Sequence, residues 1–149
     1  MQQVSVHIIL VNDNDKDRNS FTKALEELKI KTLVDIFEDR KQLMDYLNND
    51  KISLPHLIFI DSDMPLKQGV ECLQGIRNNI RFKDVVLAIY SNSPFGKDVE
   101  DAMVIGANVY LRKPDNYAAL KKVLTEVMTL YWQYNTSGFN KEMFICTIN

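Results

Sequence analysis

Short apolar runs alternate with amphipathic helical segments along the chain, and this alternation limits the possible folds more than any other feature. Five runs have the length and the Val, Ile and Leu content of buried strands, at residues 6–11, 32–37, 57–60, 85–90 and 108–112. Strands that are apolar at successive positions are buried on both faces, which requires a parallel sheet covered by helices on each side. The sequence therefore predicts an α/β protein with a doubly wound, five-stranded parallel sheet.

The segments between these runs carry helical signals. Apolar residues recur at i, i+3, i+4 and i+7 from Phe21 to Leu28, and Asp39 is predicted to cap a second helix. A third helix is predicted over 70–76 and a fourth, marked by residues 99–103, is predicted to end at Gly106. The longest helix follows Pro114, with apolar residues in helical register from 120 to 131.

The composition excludes several classes of protein. The 149 residues carry a net charge of -2, which does not fit a strongly basic nucleic-acid binder. The sequence has no apolar stretch of the length needed to span a membrane and no secretory signal, so a cytoplasmic location is predicted. Cys72 and Cys146 match no redox or zinc spacing. We expect one domain over 1–133 and a tail over 134–149.

Chemistry-bearing side chains follow the predicted strands. Asp13 follows the first strand, Asp61 the third and Lys113 the fifth, while Ser91 follows the fourth. In open parallel sheets, binding groups collect at the carboxyl ends of the strands. Clustered carboxylates repel each other unless a cation joins them, and Mg²⁺ accepts carboxylates together with water and phosphate oxygens. A carboxylate beside such an ion can attack a phosphoryl group, with a lysine neutralising the transferred oxygens.

Four segments together resemble the receiver domain of two-component response regulators, the CheY-like family. They are IILVNDN at 8–14, LIFIDSDMP at 57–65 with Gly69, Ser91, and GANVYLRKP at 106–114. The resemblance covers residues 5 to about 132 and implies strand order 2-1-3-4-5. It also implies a single-domain response regulator that takes part in phosphorelay signalling. The implied partners are a sensor histidine kinase or phosphotransfer protein and a downstream protein target, with no nucleic acid and no membrane.

The resemblance assigns roles to individual residues. Asp61 is the implied phospho-acceptor, and the implied ligands of Mg²⁺ are Asp13, Asp61 and the main-chain carbonyl of Asp63. An implied Mg²⁺-dependent self-phosphorylation and autodephosphorylation is the only catalysis expected of this family, so we do not expect a turnover enzyme.

The resemblance also implies a switch. Ser91 moves to meet the phosphoryl group, Lys113 contacts it, and the Lys113–Pro114 peptide bond is cis. Tyr110 swings inward on activation, although a half-buried strand aromatic is the structural alternative for this residue. The changed surface is predicted to consist of residues 99–105, the fifth strand and the last helix.

One residue departs from the family pattern. The family usually has two acidic residues at the end of the first strand, whereas this chain has Asn12 and Asp13. Losing a carboxylate is expected to weaken Mg²⁺ binding and to slow phosphorylation. Asp15 is expected to begin the first helix or cap it rather than bind metal.

Three other functions fit parts of the sequence. Asp61-Ser62-Asp63 after an apolar strand also matches the pattern of haloacid dehalogenase-like phosphohydrolases, although that pattern normally follows the first strand. A flavodoxin-like nucleotide carrier needs a phosphate-binding loop after the first strand, and the acidic segment 12–17 disfavours it, because it would repel phosphate. A degenerate receiver that binds partners without phosphorylation is supported by Asn12.

The end of the chain is rich in aromatic residues. Residues 130–134 read LYWQY, and Phe139 and the run 143–145 add further apolar side chains. Packing of Trp132 against the domain is one interpretation. We expect a homodimer through the last helix and the tail, because aromatic residues are enriched in protein interfaces.

Overall fold

The computed structural model describes residues 5–61, 66–91, 104–136 and 146–148, and it describes 66–71, 132–136 and 146–148 by backbone alone. The strands are β1 (Val6–Val11), β2 (Thr32–Phe37), β3 (Leu57–Asp61), β4 (Val86–Ser91), β5 (Val109–Arg112) and β6 (Cys146–Ile148). The helices are α1 (Asp15–Glu26), α2 (Arg40–Leu47), α3 (Leu66–Arg77) and α4 (Tyr117–Thr136), and a short 3-10 helix spans Ile80–Phe82. The helix predicted around residues 99–103 lies outside the described residues.

The strands form one parallel sheet with the order β2-β1-β3-β4-β5-β6. The predicted order of the first five strands is confirmed. The chain crosses from β1 outward to β2 and then back past β1 to β3, so the strand order reverses between β1 and β3. The crevice at such a reversal is where open α/β sheets bind their ligands.

A sixth strand extends the predicted sheet. β6 pairs with β5 in parallel, with Val109 opposite Cys146 and Leu111 opposite Ile148. In the sequence this segment is only a short apolar run in the tail, and no strand is predicted there. Three residues are too few to show a periodicity that identifies a strand.

Alternating side chains of each central strand point into two separate cores. Ile8 and Leu10 of β1 join a core covered by α1 and α4, whereas Ile9 and Val11 join a core beneath α2 and α3. Each fully buried aliphatic side chain contributes about 1.5–3 kcal/mol. The apolar runs of β1, β3 and β4 therefore reflect strands that are buried on both faces. The same expectation is wrong for β2, which lies at the edge of the sheet and is only partly buried.

Capping residues begin or end the helices where the sequence indicates. Asp39 caps α2 by accepting a hydrogen bond from the Gln42 amide at 2.9 Å. The N-cap of α1 is Asn14, so Asp15 is the first helical residue and forms an ion pair with Arg18. Gly106 has a φ of 128°, as predicted for a left-handed position.

The expected cis bond between Lys113 and Pro114 is wrong, because the described residues contain no cis peptide bond. Trans is the more stable isomer for most X–Pro bonds, by about 0.5–1 kcal/mol.

Arg77, the last residue of α3, connects three segments of the chain. Its guanidinium donates to the carbonyl oxygens of Gly106 at 2.9 Å, Phe82 at 3.0 Å and Val85 at 2.8 Å. It also donates to the Asn108 side chain at 2.7 Å, which in turn accepts from the Leu87 amide at 3.0 Å. The segment that leads into β5 is thereby attached to α3 and to the start of β4.

None of the helices in the described ranges combines the length and the apolar character that a membrane span requires.

Candidate functional site

The carboxyl ends of four strands meet at one edge of the sheet. Val11 of β1 lies beside Ile60, and Asp61 of β3 lies beside Tyr90. Ser91, the last residue of β4, lies beside Arg112 of β5. This register brings the predicted site residues at the strand ends to neighbouring positions.

Asp61 is a buried carboxylate at the end of β3, with only 1% of its surface exposed. The Lys113 ammonium donates to its Oδ2 at a distance of 3.0 Å. A carboxylate this deeply buried requires a positive partner, because the loss of its hydration is otherwise very costly. Two of the predicted site residues, Asp61 and Lys113, are therefore in direct contact.

Lys113 is held by its backbone as well as by its side chain. Its amide donates to the carbonyl oxygen of Ser91 at 2.7 Å, which joins the residue after β5 to the end of β4. The side chain is only 9% exposed, and its ammonium lies 5.4 Å from the centre of the Tyr90 ring. The lysine is thus fixed close to the strand ends rather than extended into solvent.

A second carboxylate contacts the same ammonium. Asp17, in the first turn of α1, accepts a hydrogen bond from Lys113 Nζ at 3.2 Å. The sequence pattern does not single out Asp17, because 12–17 forms one acidic segment. The sequence could place Asp17 in the first turn of α1, after the N-cap. Its contact with Lys113, 96 positions away, is visible only in the structure.

Asn12 is buried at the end of β1, with 1% of its surface exposed. Its side-chain oxygen accepts from the Asn14 amide at 2.7 Å, and its backbone carbonyl accepts from Arg18 at 2.9 Å. Its Nδ2 has no hydrogen-bond partner among the described residues. If Oδ1 and Nδ2 of Asn12 were exchanged, two N–H donors would face each other. The hydrogen bond from the Asn14 amide therefore identifies which side-chain atom of Asn12 is the oxygen.

The remaining predicted site residues differ in how far they are buried. Asp13 is exposed and directly follows Asn12, while Ser91 is buried at the end of β4. Tyr110 is 2% exposed and packs in the core beneath α2 and α3. Asp63 lies outside the described residues, and so does its main-chain carbonyl.

The donor set at this edge suits a hard cation. Among the described side chains, no three His, Cys, Asp or Glu residues are grouped closely enough to form an all-protein metal cage. Mg²⁺ does not need such a cage, because it keeps several waters and binds through one or two carboxylates. The exposed Asp13, just after β1, and the buried Asp61, at the end of the neighbouring β3, offer that number of carboxylates.

Two histidines form a structural pair at the opposite end of the sheet. His56 Nδ1 accepts a hydrogen bond from the His7 backbone amide at 2.9 Å, and His7 Nε2 lies 2.7 Å from Asp35 Oδ2. Burial, with a smaller effect from the charge of His7, lowers the pKa of His56. A neutral His56 is also what its acceptor role requires, because a protonated imidazole has no lone pair to offer.

Comparison with known proteins agrees with this geometry. The sequence pattern described as the response regulator receiver domain matches residues 8–125. The probable methanogenesis regulatory protein FilR2 of Methanothrix harundinacea (strain 6Ac) is 27% identical over 133 residues, which are 87% of this chain and 86% of that protein.

Two solved structures have the same fold. The phosphorylated cyanobacterial phytochrome response regulator RcpA is 25% identical with a TM-score of 0.78, over 87% of this chain and 95% of that one. The Mn²⁺-bound form of response regulator Rcp1 is 26% identical with a TM-score of 0.72, over 83% of this chain and 91% of that one.

Proposed function

Because the chain belongs to the response regulator receiver domain family, we propose that it accepts a phosphoryl group on Asp61 in a Mg²⁺-dependent reaction. The proposed donor is a sensor histidine kinase or a phosphotransfer protein. The observation that carries the proposal is the buried Asp61 carboxylate with the Lys113 ammonium 3.0 Å away. A buried carboxylate with a fixed cation beside it is suited to nucleophilic attack on a group whose negative charge the cation then neutralises.

The proposed transfer is a simple displacement at phosphorus. A carboxylate oxygen of Asp61 forms a new bond to phosphorus while the bond from phosphorus to the donor breaks. That bond is P–N in a phosphohistidine and P–O in an acyl phosphate. The donor leaves with the electron pair, and a leaving imidazole takes up a proton. Lys113 donates hydrogen bonds to the transferred oxygens.

Mg²⁺ would be held by Asp13, Asp61 and the main-chain carbonyl of Asp63. When bound, it supplies positive charge to the oxygens of the transferred group. Asn12 contributes no carboxylate, and its side-chain oxygen is already engaged by Asn14. Two relatives of this chain, phosphorylated RcpA and Mn²⁺-bound Rcp1, support the proposed phosphorylation and divalent-metal binding.

The proposed output is a conformational change that a downstream protein reads. Phosphorylation adds about -1.5 to -2 charges at one point. Ser91 is proposed to move toward the phosphoryl group and Tyr110 to follow it. Residues 99–105, β5 and α4 form the proposed surface that changes. Because Asp61 accepts one phosphoryl group and later loses it, the protein acts as a switch rather than a turnover enzyme. The proposed location is the cytoplasm.

Incubation with acetyl phosphate and Mg²⁺, followed by intact mass measurement, tests the proposal. The wild type should gain one acid-labile phosphoryl group, and Asp61→Asn should gain none. Asp45→Asn, the same change at an exposed position in α2, is the matched control and should behave as wild type. A phosphoryl group that persists in the Asp61→Asn variant refutes the assignment.

The same experiment separates the other functions considered. A degenerate receiver would show no gain of mass in the wild type. A phosphohydrolase would hydrolyse a phosphate ester continuously over many turnovers, which the self-phosphorylation of one aspartate does not do.

We also propose a homodimer that uses α4 and the tail over 134–149. Light scattering of the full chain and of a chain ending at Gln133 tests it. The proposal requires a dimer for the first and a monomer for the second, and a monomeric full chain contradicts it.

A further inference from the structure

The Lys113 ammonium is shared by two carboxylates, and the resemblance assigns a role to only one of them. Lys113 Nζ donates to Asp61 Oδ2 at 3.0 Å and to Asp17 Oδ2 at 3.2 Å. The Asp61 side chain is 2% exposed and the Asp17 side chain is 39% exposed. Asp17 thus reaches the buried lysine from the solvent side of the site.

A continuous series of hydrogen bonds connects Asp17 to the end of β1. The Asn12 side chain accepts from the Asn14 amide at 2.7 Å, and the Asn14 side chain accepts from the Asp17 amide at 3.0 Å. The first turn of α1 is therefore attached to the buried end of the strand. This fixes the backbone from which the Asp17 carboxylate reaches Lys113.

We propose that Asp17 is a positioning residue that acts through Lys113 and holds its ammonium beside the Asp61 carboxylate. This inference rests on the function proposed above. Lysine is a point charge on a flexible four-carbon stem, so its location depends on the groups that bind its N–H donors. A second carboxylate gives the ammonium a fixed partner besides Asp61 and so keeps it beside the oxygen that attacks the phosphoryl group.

The position of Asp17 also bears on the missing acid at the end of β1. Asn12 is uncharged, and the described contacts of Lys113 include two carboxylates, those of Asp61 and Asp17. Asp17 supplies at this site one negative charge, as an acidic residue at position 12 would. That charge lies beside the Lys113 ammonium, which Asp17 contacts.

The test compares two variants of the same helical turn. Asp17→Asn removes one charge and the carboxylate that contacts Lys113, whereas Asp15→Asn removes one charge from a residue that pairs with Arg18. The measurement is the initial rate of phosphorylation by acetyl phosphate at saturating Mg²⁺. We expect Asp17→Asn to slow the reaction about three- to tenfold, since the pair is charge-assisted but partly exposed. Asp15→Asn should keep the wild-type rate.

A double-variant comparison shows whether Asp17 acts through Lys113. In a Lys113→Ala background, Asp17→Asn should leave the remaining phosphorylation rate unchanged, because the group that it positions is gone. Asp17→Glu, which keeps the charge, should recover most of the wild-type rate. Circular dichroism spectra of all variants should match that of the wild type.

The possible failures are distinct. The positioning role is overturned if Asp17→Asn reacts as fast as wild type. It is also overturned if Asp17→Asn slows the Lys113→Ala protein by the same factor as it slows the wild type. If the wild type itself gains no phosphoryl group, the proposed function fails and this inference fails with it.

Discussion

Replacement of Arg77 by methionine is expected to be among the most destabilising single changes in the described part of the fold. The guanidinium donates four hydrogen bonds of 2.7–3.0 Å to Gly106, Phe82, Val85 and Asn108. Hydrogen bonds to charged groups contribute about 1.5–3 kcal/mol each, and acceptors left without a partner cost about 1–3 kcal/mol. These contributions are not additive and water reaches part of the site, so we expect Arg77→Met to lower the free energy of unfolding by about 3–5 kcal/mol.

Urea unfolding followed by circular dichroism measures this loss. Arg77→Met should lower the midpoint without changing the slope of the transition, because the folded and unfolded states keep their compactness. Arg77→Lys keeps the charge but cannot reach four acceptors with one ammonium, so it should lose about 2–3 kcal/mol. Lys83→Met, an exposed change of similar size, is the control and should stay within about 0.5 kcal/mol of wild type. A loss below about 1 kcal/mol for Arg77→Met would show that water replaces the guanidinium and would refute this reasoning.

Three further predictions concern the site, the histidine pair and the tail. Asn12→Asp should bind Mg²⁺ about tenfold more tightly in calorimetric titration, because it adds a carboxylate; an unchanged affinity contradicts this explanation of Asn12. The lowered pKa of His56 means that the unfolded state binds the proton more readily than the folded state does. The contribution of His56 to the free energy of unfolding is therefore fully present above about pH 6.5 and is lost as the pH decreases. His56→Asn offers an oxygen in place of Nδ1, so its urea midpoint should change less than that of wild type between pH 7.5 and 5.5; an equal change would exclude His56 as the cause. Removing residues 146–149 exposes the edge of β5, so backbone amides of Val109–Arg112 should exchange hydrogen faster; unchanged exchange would mean that β6 does not protect them.

Most of the fold follows from local patterns in the sequence. The central strands are visible because both of their faces are buried, which leaves almost entirely apolar runs such as Val6–Val11, where His7 is the one polar residue. The predicted strand boundaries differ from the observed ones by one residue at the end of β3, at both ends of β4 and at the start of β5. Gly106 and Asp39 were predictable because their roles depend on backbone conformation and on neighbours in sequence.

What the sequence did not show depends on contacts between distant residues. The contact between Asp17 and Lys113 joins two elements 96 positions apart, and no periodicity distinguishes Asp17 from the other acids of its segment. The hydrogen bonds of Asn12 and the four acceptors of Arg77 are likewise properties of the assembled chain. The trans bond at Pro114 is a further case, because an X–Pro dipeptide alone does not decide the isomer.

The parallel direction of β6 has a practical consequence for labelling the protein. Parallel strands end at the same rim of the sheet, so anything attached after Ile148 emerges on the rim that carries Asp61 and Lys113. A fluorescent protein or affinity tag fused there would crowd the proposed phosphoryl donor. A tag placed ahead of Val6 leaves from the far rim, which makes it the better position for measurements of phosphotransfer.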